Sequence, residues 1–343
     1  MNKKPLSLNR LITASLLGSI FGGKISKVGF PRTIDDYKFK KIFKTEKSVW
    51  TFSFALYENS VGKIAIAKMW NGRIKDFAYY TLENELTLYE ILNKALDRLG
   101  ESKRERLGGI RIPRLLGKKE TKNTLLILSE FIKGKKADKL SSERSLEIYF
   151  KTLDFLDFLG NKLTVKEKSQ IAHRDGYTLL LLYFPLLIKA ILAHPYLSWP
   201  LIRGVPVFLA SVPKIIKRNK KILTHRDLHL ENIILTKTEV VLIDLQFCLF
   251  SDPIYDLISS LRSLWDNNAL RLGIIRELGK RSKNDTLLIK GLMVHSATHG
   301  LTDKRFSEER INRYHAYLGF AIERKPEHLL ENISRVMRFK VTA

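Results

Sequence analysis

Only one of the 343 residues is cysteine, Cys248, so no intrachain disulfide can form and no cysteine-built zinc site can be assembled. A reducing compartment fits that usage. Acidic residues are also scarce, 35 against 60 lysines and arginines, which gives a formal charge of +25. Such a surface attracts anions from a distance, and nucleotides, nucleic acid, a phosphorylated glycan and an acidic membrane are all compatible with it. A long clean apolar run is missing. The richest stretch, Thr178 to Ile202, is interrupted by Pro185, Lys189, His194, Pro195 and Pro200, short of the ~20 apolar residues a spanning helix needs. No membrane-spanning segment is predicted, and this stretch reads as core helix. Internal repeats and low-complexity tracts are absent too. No aromatic platform or helix-turn-helix signal accompanies the charge, which ranks nucleic acid last among partners.

Hydrophobic residues make up 45% and charged residues 28%, the balance of a folded chain long enough for two domains or one bilobal enzyme. Residues 1–36 read as an N-terminal extension. Lys3, Lys4 and Arg10 precede the apolar run Leu11 to Phe21, as in a secretory signal, but no small-x-small cleavage site follows. Leu8, Leu11, Ile12, Leu16 and Ile20 fall near helical spacing, which predicts a short amphipathic helix docking on the body or on a membrane.

Residues 37–132 carry the punctuation of a small sheet with one long helix. Val49 to Tyr57 is aromatic and β-branched, Glu58 to Gly62 reads as a turn, and Lys63 to Trp70 alternates Ile64, Ile66 and Lys68 with Ala65 and Ala67. Leu82, Leu86, Tyr89, Leu92 and Leu96 give a helical period over Leu82 to Leu99. Thr124 to Ile132 is a further strand, and Lys133 to Lys139 a hinge. Residues 133–343 read as mainly helical, Leu146 to Leu163 most clearly. The exception is a hairpin, Ile233 to Leu235 and Val240 to Ile243 around the polar turn Thr236 to Glu239.

The chemistry concentrates around that hairpin. Thr224 to Asn232 reads THRDLHLEN, and the returning strand ends in Leu242-Ile243-Asp244-Leu245. Phosphoryl transfer needs a carboxylate to orient or accept a hydroxyl proton, hard oxygen ligands for a magnesium ion on the phosphates, and a cation for their oxygens. Asp227 and Asn232, five apart, offer the first and part of the second, and the hairpin folds Asp244 back beside the loop. Arg226 is either an anion contact or a solvated loop residue, and His229 either touches substrate or fills the loop. A second His-Arg-Asp, His173-Arg174-Asp175, has neither the asparagine nor the following hairpin and reads as a surface turn.

In these motifs the chain resembles the protein-kinase-like superfamily, most of all its aminoglycoside phosphotransferase and choline-kinase-like branch, with some likeness to lipopolysaccharide-core kinases. His225, Asp227 and Asn232 match H-x-D-x-x-x-x-N, Asp244 the metal aspartate, and Asp252-Pro253-Ile254-Tyr255-Asp256-Leu257 a D-P-x-x-D-L setting. The resemblance implies an α+β, bilobal fold with a small β-rich N-lobe and a mainly helical C-lobe, using ATP and magnesium (Mg2+). It makes Asp227 the catalytic base, gives Asn232 and Asp244 to the metal, and leaves His225 and Asp256 as structural support. Lys68, paired with Glu85 (or Glu83) in the first turn of the long helix, would grip the phosphates, and the hinge Ser129 to Ile132, with Glu130 and Ile132 in it, would offer backbone hydrogen bonds to adenine. Two departures matter. No Gly-rich loop occurs near Thr45 to Thr51, and only 12 residues separate Asp244 from Asp256, too few for a protein kinase's activation segment. The predicted function is therefore a kinase acting on a hydroxyl of a small molecule, glycan or lipid headgroup, anionic by the charge balance, in the cytoplasm or at the inner face of the membrane. The rival is a pseudokinase serving as a basic binding module for membrane or polyanion.

Overall fold

The computed structural model describes residues 29–43, 52–72, 75–100, 109–218, 221–302 and 307–323. The predicted N-terminal amphipathic helix, and Val49 to Thr51 of the first predicted strand, lie outside them. Strands β1 (Thr33–Ile34), β2 (Tyr37–Ile42), β3 (Ser53–Glu58) and β4 (Ile64–Asn71) lead into helix α1 (Phe77–Leu99). Strands β5 (Ile110–Arg111), β6 (Leu115–Thr121), β7 (Thr124–Glu130) and β8 (Lys135–Lys136) follow, then helices α2 (Ser142–Lys162), α3 (Val165–Lys168), α4 (Gly176–Ala193) and α5 (Ser198–Lys217). Next come β9 (Ile222–Thr224), β10 (Ile233–Leu235), β11 (Val240–Leu242) and β12 (Leu249–Ser251), and then α6 (Ile254–Ser263), α7 (Asn268–Ser282), α8 (Thr286–Gly300) and α9 (Glu308–Glu323). The result is α+β, β-rich in its N-terminal region and helical in its C-terminal region.

Two compact units divide these elements. The first takes the described residues up to Lys139 together with Lys151–Ala172 and Leu230–Leu249. Its six-stranded antiparallel sheet runs β1-β2-β3-β4-β7-β6. Period-two alternation sorts the faces. Ala55, Tyr57, Ala65, Ala67, Met69, Leu126 and Leu128 form one buried cluster, while Lys68 points from the other face, registered between Phe54 and Ile127. A second sheet, β5-β11-β10-β8, holds the predicted hairpin, with Ile233 opposite Leu242 and Leu235 opposite Val240.

Helix α1 starts five residues before the predicted Leu82, because Asp76 caps it, accepting a bond from the Tyr79 N–H at 3.0 Å. The Trp70 indole donates to the same carboxylate at 2.8 Å and so ties the cap to the end of β4. Glu85 consequently sits in the third turn of the helix, not the first.

The second unit comprises Leu140–Phe150, His173–His229 and the described residues from Phe250 onward. Helix α8 is its buried centre, and α4 and α5 pack on it. Close approach of α5 and α8 needs glycine: a Cβ on Gly204 would stand 2.8 Å from Val294, and one on Gly291 1.7 Å from the Ser211 Oγ. Tyr183 of α4 stacks on Phe208 of α5 at 3.9 Å between ring centroids.

The predicted core helix over Thr178 to Ile202 is corrected in two ways. The chain breaks over His194 to Leu197 into α4 and α5, whose apolar segments are only 33% and 28% buried, while Pro200 sits in the first turn of α5. Each is also long and apolar enough by length and composition to cross a membrane, against the sequence-based prediction of no such segment. Pro185, Pro206 and Pro213 are carried inside these helices rather than ending them.

Candidate active site

Within the first unit the structure brings Lys68, Glu85 and Asp244 together. The Lys68 ammonium donates to Glu85 Oε2 at 2.8 Å, to Asp244 Oδ1 at 2.9 Å and to Gln246 Oε1 at 2.9 Å. Burial alone would lower the lysine's pKa, but the Asp244 and Glu85 carboxylates outweigh it and hold the ammonium well above its usual range. Burial in turn pushes Glu85 upward against the pull of Lys68. Glu83, the competing choice, instead accepts a long bond from the Tyr79 hydroxyl at 3.4 Å. Gln246 went unrecognised in the sequence. It follows Asp244 by two residues, where no charge or motif position marks it.

The hairpin delivers Asp244 as its spacing implied. Asn232 closes a short 3₁₀ turn before β10, Asp244 follows β11, and the Ile243 N–H donates to the Asn232 carbonyl at 2.9 Å. Asp244 has φ 61°, in the left-handed region. Such a backbone costs a non-glycine residue about 1–3 kcal/mol. The Lys68 bond and the turn Leu245–Phe247 hold it there.

Asp227 lies in the second unit on the loop after β9. Its Oδ1 is 2.8 Å from His229 Nε2, and His229 Nδ1 is 2.9 Å from the Ser263 hydroxyl of α6. Of the two roles open to His229, the geometry gives it a third, as partner of the carboxylate. Burial works to raise Asp227, yet the His229 hydrogen bond and charge, with His225 and Arg262 behind them, bring it down to about 2. Asp256, assigned to support, accepts the His225 N–H at 3.0 Å on Oδ2 and the Arg226 N–H at 2.6 Å on Oδ1. Arg226, at φ 66°, is the loop's own left-handed residue, and these two bonds fix it. The His225 side chain is fully buried.

One consequence is measurable in the pH profile. With a pKa of about 2, Asp227 stays ionised throughout any working range. Substituting His229→Ala removes the opposing term, so burial wins and the pKa rises. The acid limb of kcat/KM in the variant is expected at higher pH than in the wild type. Superimposable profiles would remove His229 from this role.

Glu130 and Ile132, expected to meet adenine through the backbone of Ser129 to Ile132, lie at the end of β7 and just beyond it. The Glu130 carboxylate is taken up by Arg111, at 2.6 and 2.8 Å, and accepts the Arg114 N–H at 3.3 Å. The N–H of Glu130 itself donates to the Arg114 carbonyl at 3.0 Å. Ile132 lies in the irregular segment after β7, half-buried.

The second His-Arg-Asp is not a plain surface turn. Asp175 caps α4, accepting from the Thr178 N–H at 2.9 Å, and His173 bridges to Phe250. Arg174 is half-buried, and desolvation and then the nearby Arg226 charge bring its guanidinium down to about 9. Desolvation, and then the charges of Arg262, Arg174 and Arg226, lower one further group, His299 of α8. Arg226 lies over the Tyr255 ring at 4.4 Å, and Arg262 donates to the Ser296 carbonyl at 2.8 Å. Arg226 Nη1 and His295 Nε2 are buried without a hydrogen-bond partner. Sequence reasoning could not assemble this cationic cluster, because its members come from four separate segments.

The order of these groups along the chain decides the family. Residues 83–285 match the family described as Phosphotransferase enzyme family. The chain belongs to that family. It is a phosphotransferase, a kinase whose acceptor offers a hydroxyl group. No curated protein matches its sequence. Among solved structures it is similar to an aminoglycoside phosphotransferase from Alicyclobacillus acidocaldarius, with TM-score 0.57 and 12% identity over 92% of this chain and 99% of that one. It is similar as well to a thermostable mutant of aminoglycoside phosphotransferase APH(4)-Ia in a complex with ADP and hygromycin B, with TM-score 0.56 and 11% identity over 90% and 97%. A choline kinase from Cryptosporidium parvum has TM-score 0.50 and 11% identity over 96% and 97%. At these identities the likeness is one of fold.

Proposed function

We propose that this phosphotransferase moves the γ-phosphoryl group of ATP, with magnesium, to a hydroxyl of an anionic small molecule, glycan or lipid headgroup. The observation that carries the nucleotide half is the Lys68 ammonium held between Glu85 and Asp244. A buried cation with two carboxylate partners is costly to assemble, and a grip on phosphate oxygens repays it. Asp244 fits a hard cation: Oδ1 is bonded to Lys68, while Oδ2 has only a 3.5 Å contact from Gln246 Nε2. Asn232 would supply the amide oxygen beside it. When bound, magnesium neutralises charge that builds on the β and γ phosphates. Asp227, ionised and aimed by His229, would orient the acceptor hydroxyl, and a carboxylate of such low basicity suits a loose transition state in which the proton leaves late.

The anionic acceptor is favoured by the cluster in the second unit. Three arginines with two uncharged histidines concentrate positive potential near the Asp227 loop, and a buried donor without an acceptor costs about 1–3 kcal/mol until a ligand satisfies it. ADP release should be followed with hydroxyl compounds matched in size, neutral, cationic, phosphorylated and carboxylated. The anionic members are expected to lead in kcat/KM by at least about tenfold, the worth of one charge-assisted hydrogen bond, and their KM should rise with salt. Arg262→Gln should raise KM for them and leave ATP affinity unchanged. A cationic substrate turned over best would overturn this part of the reading while leaving the nucleotide half intact.

A further inference from the structure

Both helices of the pair α4 and α5 turn a greasy face away from α8. On α4, Leu181, Ile188 and Leu192 are 64%, 61% and 68% exposed, and Tyr177 and Phe184 extend the stripe at helical spacing. On α5, Trp199 is 68% exposed, and Ile202, Pro206, Leu209 and Pro213 continue the same face at i, i+3, i+4 steps. The opposite faces do the packing: Leu179, Tyr183, Leu187 and Ala190 on α4, and Leu201, Gly204, Phe208, Ser211 and Ile215 on α5, are buried. Each helix is thus apolar on two sides, one packed inside the unit and the other exposed.

We propose that the exposed stripes of α4 and α5 are a docking surface for an anionic lipid bilayer, on which both helices lie in the interface plane. Soluble monomers rarely leave so large an apolar area uncovered. Charge selects the occupant. Between Asp175 and Asp227 the sequence contains no acidic residue, while Lys189, Arg203 and Lys217 stand exposed beside the stripes. Lys214, also on α5, is tied to Asp285 at 2.8 Å. Cations on two helices that carry no acids of their own, around an apolar centre, match anionic headgroups over acyl chains, with each basic residue near the surface adding attraction. The aromatic complement agrees: Tyr177, Tyr196 and Trp199, all exposed, are residue types that settle at headgroup level. The excess of cations over acids on these helices repels a second copy of the same face, which disfavours a symmetric dimer through it. In-plane docking rather than spanning follows from the buried faces, which are committed to α8 and to each other.

The test is flotation of the full chain with vesicles of phosphatidylglycerol and phosphatidylethanolamine, and with phosphatidylcholine alone. Binding to the anionic vesicles is expected, falling with salt, and at least tenfold weaker to the neutral ones. Ile188→Glu and Trp199→Glu, each at an exposed position, should each lower the bound fraction at least tenfold with an unchanged thermal midpoint. Val165→Glu, an exposed apolar site on α3, should not. Trp199→Phe keeps the surface apolar and provides a second reading: the blue shift of tryptophan emission on anionic vesicles should vanish while flotation persists. The proposal is overturned if the wild type does not float, or if the Glu variants float as it does. It is overturned equally if binding ignores lipid charge and survives alkaline carbonate, which would mean insertion. A dimer in solution that those variants dissociate would assign the face to self-association instead. None of these readouts depends on catalysis.

Discussion

Replacing Asp227 by Asn is expected to lower turnover by about 10²–10⁴-fold, the usual share of a positioned base, with Mg-ATP affinity changed by less than about twofold, since no charge on the phosphates is touched. The amide keeps the shape of the carboxylate and removes its charge. His229, now facing an amide, retains only a neutral hydrogen bond in place of the 2.8 Å pair. Steady-state ADP release and calorimetric ATP binding on the same preparation separate the two effects. Full turnover of an identified acceptor by this variant would mean that the base lies elsewhere.

Asp244→Ala is expected to act on the other half of the reaction. In the wild type, ATP binding should be strengthened by magnesium, and in the variant that increment should disappear. A second effect follows from the ion triad. Lys68 loses one of its two carboxylates and keeps Glu85, so the ammonium remains paired. The destabilisation should therefore fall short of the ~3–5 kcal/mol that stripping a buried charge of its only partner costs. Calorimetry with and without magnesium reads the first effect, and a chemical denaturation midpoint the second. Magnesium-enhanced binding that survives in the variant would move the metal away from Asp244.

Much of this site could be read from the sequence because its members sit close together in the chain. The strand pair β10 and β11 is two short apolar runs around a polar turn, and Asn232 and Asp244 flank it at fixed spacing. Strands β2 and β6 escaped notice for a physical reason. Their sequences, YKFKKI and LLGKKET, are lysine-rich and mostly exposed, one beside the sheet edge and one at it, so the apolar alternation is confined to Tyr37 and Phe39 in the first and missing from the second. The start of α1 was missed since its first turns, FAYYT, look strand-like by composition, and only the cap at Asp76 decides the issue. The run from Thr178 to Ile202 misled differently. Hydropathy records how apolar a residue is, not which side of it the rest of the chain covers. Arg174 shows the converse, a charged residue in a polar-looking turn that the fold half-buries.

One bond pattern inside the first unit bears on how such an enzyme could be controlled. The buried Asn84 side chain of α1, next to Glu85, donates to the carbonyl of Gln246 at 3.0 Å and to that of Cys248 at 3.1 Å, just beyond Asp244. Kinases that are switched by swinging this helix break the lysine pair when the helix moves. Here the same movement would also strip two carbonyls of their donor, at about 1–3 kcal/mol for each group left buried and unmet. The helix is latched to the segment it would have to leave. Regulation by that swing would have to pull the latch first, which makes supply of acceptor, rather than rearrangement of the nucleotide grip, the cheaper lever on the rate.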